Sequence, residues 1–238
     1  MTDPHTLARR CLGAGIDVAH PETVVRNRLS LDGTTLTVAG HAYDLDSYEQ
    51  VVVVGGGNAA GTVATELESL LGDRIDAGIV VTDLPTGTER IEQVEGTHPR
   101  PNAEAVAGTD RIREMLASND RTLVLAVVTG GASALLPAPA GDLSLADLRA
   151  TTDELLASGA SIHEMNAVRK HLSATKGGRL ASAAAPATVA TLLFSDVVGD
   201  DASVIGRGQF RGVERAAEGD AIGPCLVSEV AAPAVRIA

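Results

Sequence analysis

Two glycine-rich segments each follow a continuous apolar run, where a buried strand would give way to a helix. Residues 51–54 are all valine and lead into Gly55-Gly-Gly-Asn-Ala-Ala-Gly61, and the apolar residues 123–128 lead into Thr129-Gly-Gly-Ala-Ser133. In open parallel sheets, ligands bind beyond the carboxyl ends of the strands, and backbone N–H groups of such turns hold anions. A single turn is about as often a plain connection, but two turns favour a phosphate or carboxylate site. The candidate ligand-binding residues here are Gly55, Gly56, Gly57, Gly130, Gly131 and Ser133.

Lysine occurs in only one region of the chain. Of 19 basic residues only Lys170 and Lys176 are lysine, so both are candidates for sites that need a compact ammonium. A capping box at Ser161 opens a predicted helix, and Gly177 and Gly178 after it let a ligand approach the backbone closely. The apolar stripe of this helix is Ile162, Met165, Val168 and Leu172. The other side of the helix carries Asn166, Arg169, Lys170 and Ser173.

Three aspartates, Asp196, Asp200 and Asp201, follow the predicted strand at residues 191–194. A pair of carboxylates after a strand can orient Mg²⁺ on nucleotide phosphates. In so acidic a chain, Asp201 taken singly is equally well explained as a solvated loop residue. We therefore predict that Asp196 and Asp200 are the metal ligands.

The first glycine turn also fits a dinucleotide-binding fingerprint. Residues 55–60 satisfy G-x-G-x-x-A, and Asp83 ends the next predicted strand about 20 residues on, where an acid would hold a ribose hydroxyl. A nicotinamide-dependent oxidoreductase therefore stays open. The P-loop motif is absent, and Ser133 lacks the context of a hydrolase nucleophile. The histidines show no metal-ligand spacing, and His98 is the one we single out.

The order of elements predicts an α/β fold. Helical pieces over 5–28 precede a hairpin at 29–38 and a short strand at 41–45, and Ser144 opens a further capped helix. Residues 84–101 are predicted to be a loop rich in proline and glycine. The buried strands, which alternate with helices, are 51–54, 79–82, 123–128 and 191–194. We expect a mostly parallel, Rossmann-like sheet with helices on both faces and a small amino-terminal β-hairpin.

The composition indicates a soluble cytoplasmic protein. The 238 residues are 45% hydrophobic and 21% charged, and the apolar runs are far shorter than the ~20 residues of a membrane span. The amino terminus lacks a signal core, and Cys11 and Cys225 are too few for a disulfide or zinc scaffold. A net charge of −12 and 2% aromatic residues argue against nucleic acid and membrane partners. Much acid with little lysine is typical of halophiles or GC-rich genomes.

These segments resemble the glycerate 2-kinases whose amino-terminal half is Rossmann-like, proteins often labelled hydroxypyruvate reductase. The stretches that carry the resemblance are residues 53–60, 97–102, 129–136, 156–181 and 194–201. The resemblance implies ATP-dependent phosphorylation of D-glycerate to 2-phosphoglycerate, with Mg²⁺. D-Glycerate and ATP are then the small-molecule partners, and a homo-oligomer is expected.

The resemblance also implies residue roles. Lys176 and Arg169 would be catalytic cations, and Asp196 would accept the hydroxyl proton or hold Mg²⁺ with Asp200. Lys170, Gly177 and Gly178 would join the glycine turns in binding ATP. The family usually has lysine where this chain has Asn58, which donates a hydrogen bond but brings no charge. The glycine turns, the cations and the aspartates suit phosphoryl transfer, which depends on positioning and charge neutralisation.

The resemblance ends near residue 206, where the family continues with a serine-glycine-proline-threonine stretch and a second domain. Here the sequence reads Gly206-Arg-Gly-Gln-Phe210. We therefore assign 1–206 to the Rossmann-like domain and 207–238 to a divergent, foreign or frame-shifted tail, with the second catalytic domain missing. We expect weak or no activity from such a chain. The alternatives are an NAD(P)-dependent hydroxypyruvate reductase and a non-catalytic domain that binds a nucleotide or a small acid.

Overall fold

The computed structural model describes residues 3–116, 119–194 and 209 of the chain. Within these ranges the helices are α1 (Pro4–Ala19), α2 (Pro21–Arg28), α3 (Ala60–Leu71), α4 (Ala103–Met115), α5 (Ala132–Leu135), α6 (Leu145–Ala157), α7 (Ile162–His171) and α8 (Arg179–Ala184). The strands are β1 (Leu29–Asp32), β2 (Thr35–Val38), β3 (His41–Asp44), β4 (Gln50–Gly56), β5 (Ala77–Thr82), β6 (Ile91–Glu95), β7 (Thr122–Val128) and β8 (Thr188–Leu193). None of the helices in these ranges is long and apolar enough to cross a bilayer.

A five-stranded parallel sheet lies between two hydrophobic cores. Successive side chains of β4 alternate between them: Val51 and Val53 pack with α2, α3 and the small sheet, and Val52 and Val54 pack with α4, α5 and α8. Strands covered on both faces read as continuous apolar runs because both faces are buried. The predicted α/β fold with helices on both faces is confirmed.

The hairpin near the amino terminus is confirmed and belongs to a three-stranded antiparallel sheet of order β1-β2-β3. Leu36 pairs with Leu31 on one side and with Tyr43 on the other. Leu36 and Val38 are fully buried, so this small sheet closes one of the two cores over α3.

The strand order of the large sheet is β6-β5-β4-β7-β8. The chain therefore starts in the middle with β4, adds β5 and β6 on one side, and then crosses to add β7 and β8 on the other. The order of the strands reverses between β4 and β7, which is where open α/β sheets form a ligand crevice. Gly56, the last residue of β4, pairs with Val81 of β5 and Val128 of β7, so the three strands end level with one another.

The predicted loop at 84–101 is wrong in its middle, because β6 forms the outer edge of the sheet there. The Ile91–Glu95 segment has only two apolar residues and a weak strand pattern. Contacts from elsewhere fix it: the carboxylate of Glu68 in α3 accepts hydrogen bonds from the backbone N–H groups of Glu89, Arg90 and Ile91. A tertiary anchor of this kind is invisible to local sequence patterns.

Both predicted capping boxes are confirmed. The side chains of Ser144 and Ser161 accept from the N–H groups of Asp147 and Glu164, and both carboxylates bond back to the cap residues. Gly159 has a positive φ of 72° directly after the C-cap of α6, as expected for a glycine that ends a helix.

Candidate functional site

The two glycine turns meet at the carboxyl edge of the sheet, in the crevice between β4 and β7. Backbone hydrogen bonds join them: the N–H of Asn58 donates to Gly130 at 2.8 Å, and the N–H of Thr129 donates to Gly56 at 3.2 Å. The hydroxyl of Thr129 also accepts from the N–H of Ala59 at 3.1 Å. Sequence reasoning identified both turns but not Thr129, whose hydroxyl holds them together.

Glycine is required in both turns by backbone conformation and by space. Gly57 has a φ of 137°, and a Cβ there would overlap the Thr129 hydroxyl. Gly131 has a φ of 81°, and a Cβ there would overlap the side-chain oxygen of Asn58. The side chain of Asn58 therefore lies against the second turn.

The first turn leads into a full helix, and the second does not. The α3 helix has 12 residues and begins without a side-chain cap, and its N-terminus, the positive end of the helix dipole, lies at the first glycine turn. The α5 helix has only four residues, Ala132–Leu135, including the half-buried Ser133. The expectation of a helix dipole behind both turns therefore holds only for the first.

Gly55 and Gly56 have a packing role. Both are buried in β4, and a Cβ on Gly55 would overlap the backbone carbonyl of Val127. A Cβ on Gly56 would lie 2.8 Å from the backbone oxygen of Val81. These glycines let the neighbouring strands approach closely as they leave the sheet.

The loop at residues 97–102 borders the second turn. The ring of His98 lies 3.3 Å from the position of a Cβ on Gly131. The same loop is tied to α6, since Arg149 donates to the carbonyl of Pro101 at 2.8 Å and Arg100 pairs with Asp153 at 2.9 Å. This loop therefore connects the glycine turns with the α6–α7 helix pair.

The lysine–glycine loop, residues 174–178, is hydrogen-bonded to the segment that follows α5. The N–H of Ala174 donates to Ala138 at 2.8 Å, and the hydroxyl of Thr175 donates to Leu136 at 3.0 Å. Lys176 is only 5% exposed. Burying an ammonium is unfavourable unless its charge is compensated, so its position marks a site built for charge.

The three residues after Lys176 fix the backbone of the loop. Gly177 and Gly178 have φ values of 66° and 81°, which turn the chain into α8. The guanidinium of Arg179 donates to the carbonyls of Lys170, Ser173 and Lys176. In the structure Arg179 therefore holds the loop together.

On α7 two residues of the apolar stripe face outward, and the polar side faces inward. Ile162 and Val168 are 50% and 41% exposed, whereas Asn166 is only 7% exposed. Arg169 and Lys170 are half-buried on the same side as Asn166. An inward polar stripe violates the usual pattern of a packed helix, and such violations concentrate at functional sites.

The guanidinium of Arg169 is desolvated, and this burial lowers its pKa. No carboxylate among the described residues pairs with it. The aspartates predicted to hold a metal, Asp196 and Asp200, lie outside the described residues. In the described ranges no group of three or more His, Cys, Asp or Glu side chains is arranged for a metal ion.

Gln209 is a buried residue of the tail that sequence reasoning gave no role. It is 1% exposed, its backbone carbonyl accepts from Ala181 at 3.1 Å, and its side chain donates to the carbonyl of Leu136 at 3.4 Å. Gln209 thus links α8 to the segment after α5, to which the lysine–glycine loop is also bonded. No local pattern marks a glutamine for such a contact.

The sheet order and the helices on both faces define an α/β domain of the Rossmann type. The chain belongs to the glycerate kinase family described as "Domain of unknown function (DUF4147)", whose profile matches residues 7–215. This match includes Gln209 and confirms the family that the sequence resemblance indicated.

Named relatives match this chain over part of their own, longer chains. A glycerate kinase of Danio rerio is 36% identical over 227 residues, covering 87% of this chain and 44% of the relative. A putative hydroxypyruvate reductase of Agrobacterium vitis is 46% identical over 164 residues, covering 66% of this chain and 36% of the relative. The crystal structure of a glycerate kinase from Thermotoga maritima has a TM-score of 0.74 at 33% identity, covering 86% of this chain and 47% of that one. The chain thus spans less than half the length of these relatives.

Proposed function

We propose that this chain is part of an ATP-dependent kinase that phosphorylates D-glycerate at its 2-hydroxyl and forms 2-phosphoglycerate. The observation that carries the proposal is that two glycine turns meet between β4 and β7, where the strand order reverses. Relatives of this chain are named glycerate kinases. Phosphoryl transfer needs anion positioning and charge neutralisation, and this edge offers N–H groups and cations.

In this proposal the phosphates of ATP lie against the first turn of α3 and the turn at Gly130 and Gly131. Asn58 donates a hydrogen bond from its amide nitrogen to a phosphate oxygen. Lys176 neutralises charge that develops on the transferred phosphoryl group, and Lys170 supports the nucleotide. These contacts hold the γ-phosphorus in place for in-line attack.

The reaction forms one bond and breaks one. The 2-hydroxyl oxygen of D-glycerate attacks the γ-phosphorus, the bond to the β–γ bridging oxygen breaks, and ADP leaves. The hydroxyl proton passes to a carboxylate, for which we propose Asp196. Arg169 holds the carboxylate of the substrate, since a guanidinium matches a carboxylate in a two-point contact.

Mg²⁺ would neutralise the phosphates in such a reaction, held by one or two carboxylates. We keep Asp196 and Asp200 as its proposed ligands on the sequence pattern alone. The hard oxygen donors of that loop fit this ion by type.

We further propose that residues 1–206 form the nucleotide- and substrate-binding domain and that residues 207–238 diverge from the family. The relatives contain about as much chain again outside the matched region. We propose that this other half supplies the opposite wall of the crevice, and that the reaction takes place in the cytoplasm.

The test is to purify the 238-residue polypeptide and follow ATP and D-glycerate by ³¹P NMR at high salt. We expect both ligands to bind and 2-phosphoglycerate to form more slowly than about 1 s⁻¹, the low end of ordinary enzyme rates, because one wall cannot fix both reactants. Oxidation of NADH with hydroxypyruvate would instead establish the reductase. Tight ATP binding without an effect of D-glycerate would establish a non-catalytic binding domain.

A further inference from the structure

The inward side of α7 holds a second group, besides Arg169, that has no partner among the described residues. The side-chain oxygen of Asn166 is buried, and no donor in the described part of the chain reaches it. A buried polar atom without a partner destabilises a protein by about 1–3 kcal/mol, so its presence calls for a reason.

The two unpaired groups lie one helical turn apart. Residues three apart on a helix are neighbours, with Cβ atoms about 5–6 Å from each other. The guanidinium of Arg169 requires an anion, and the oxygen of Asn166 requires a hydrogen-bond donor. A carboxylate and a hydroxyl separated by two carbon–carbon bonds match this pair in both chemistry and size.

We propose that Asn166 is a specificity-determining residue that accepts a hydrogen bond from the hydroxyl of the substrate that is not phosphorylated, the 3-hydroxyl of D-glycerate. The inference rests on the proposed function and deepens it. The reacting 2-hydroxyl must give its proton to a base, and an amide oxygen is too weak a base for that role. The 3-hydroxyl keeps its proton and suits an amide acceptor.

Discrimination through such a contact follows from hydrogen-bond energetics. A site that hydrogen-bonds a substrate hydroxyl rejects the analogue without it, because the buried acceptor is then left unpaired. D-Lactate is that analogue, since it keeps the carboxylate and the 2-hydroxyl and lacks the 3-hydroxyl. We therefore expect the chain to prefer D-glycerate over D-lactate by about tenfold.

The experiment measures the dissociation constants of both acids by calorimetry for the wild-type 238-residue chain, for Asn166→Leu and for His163→Ala, an exposed control on the same helix. In Asn166→Leu we expect D-glycerate to bind as weakly as D-lactate, with D-lactate unchanged. The melting temperature is not expected to fall, because leucine removes an unpaired buried oxygen at similar volume. The control retains the preference.

Each outcome decides between the two proposals. If the wild-type chain binds D-glycerate and D-lactate equally, or if Asn166→Leu retains the preference, the role of Asn166 is overturned. An equal loss for both acids with a lower melting temperature also overturns it and makes Asn166 structural. Failure of the wild-type chain to bind either acid would overturn the proposed function itself.

Discussion

Lys176 is the most buried cation in the part of the chain that the structure describes. Its ammonium is almost entirely enclosed beside two glycines with positive φ. Lys176, Arg169 and Asn166 together give α7 and the loop after it a polar inner surface. At the residue scale the site is therefore defined by polar groups that the core would otherwise exclude.

We predict that Lys176→Ala weakens the binding of ATP or D-glycerate by tenfold to a hundredfold. Charge-assisted hydrogen bonds contribute about 1.5–3 kcal/mol, which corresponds to that range. Calorimetric titration measures the affinity, and circular dichroism confirms that the fold is intact. Arg113→Ala removes an equal charge from an exposed pair with Asp110 and serves as control. Unchanged affinity in Lys176→Ala would remove Lys176 from the site.

At the element scale, the two glycine turns behave as one unit because Asn58 lies across Gly131. Valine at Gly57 or Gly131 would bring a side chain into both the turn and any ligand site beside it. The close packing of both positions means that such variants lose stability as well. A sharper test separates the backbone strain from the overlap with Asn58.

We predict that Gly131→Ala destabilises the fold less when Asn58 is also changed to Ala. The Cβ overlaps the Asn58 side chain, so a double-mutant cycle should show a coupling of about 0.5–3 kcal/mol. Urea denaturation measures each variant. Gly87→Ala is the matched control, since Gly87 has a similar φ of 83° and nothing within 4 Å of its Cβ position. Additive effects of Gly131→Ala and Asn58→Ala would show that the turns are independent.

The β6 strand provides a prediction about acid stability. Partial burial raises the pKa of Glu68, but the N–H donors of Glu89, Arg90 and Ile91 outweigh it and hold the pKa below its ordinary value. A lowered pKa in the folded state means that the carboxylate stabilises the fold above its ordinary pKa and loses this effect as the pH falls.

We therefore expect the wild-type chain to melt at a higher temperature than Glu68→Gln near pH 7, with the difference shrinking below about pH 4.5. Thermal melts between pH 3 and pH 7 measure it. Glu89→Gln removes an exposed carboxylate nearby and should leave the pH profile unchanged. A difference between wild type and Glu68→Gln that grows in acid would contradict the assignment.

The strands and helices show which parts of the fold the sequence could predict. Continuous apolar runs predicted β4 and β7 because both faces of the sheet are buried, and glycines before helices predicted the turns. The β6 strand could not be predicted, since Glu68 fixes it from another element. The inward polar side of α7 could not be predicted, because hydrophobic periodicity assumes that the apolar side faces the core, whereas here Ile162 and Val168 are exposed. Thr129, Asn166 and Gln209 matter through contacts that no local pattern records.

At the scale of the whole molecule, the outward side of α6 and α7 is unusually apolar. Leu156, Ile162 and Val168 are 64%, 50% and 41% exposed. Exposed apolar patches promote association, since burying them removes hydrocarbon from water. This surface supports the expectation of a homo-oligomer in solution.

We predict that the 238-residue chain self-associates with concentration in sedimentation experiments. Replacing Leu156, Ile162 and Val168 together by glutamine should shift it towards monomer without lowering its melting temperature. Leu84→Gln, at a site that is 68% exposed in another part of the molecule, is the control. A wild-type chain that stays monomeric at all concentrations would refute this prediction.

The most direct test of the binding edge is amide chemical-shift mapping of the ¹⁵N-labelled chain during titration with ATP and then D-glycerate. We predict shifts in the amides of residues 57–61, 129–133 and 176–178, where the glycine turns and the lysine–glycine loop lie. The opposite end of the sheet, around Tyr48 and Arg74, should remain unchanged and provides the internal control. Shifts confined to that opposite end, or no shifts with either ligand, would contradict a glycerate kinase site at the carboxyl edge of the sheet.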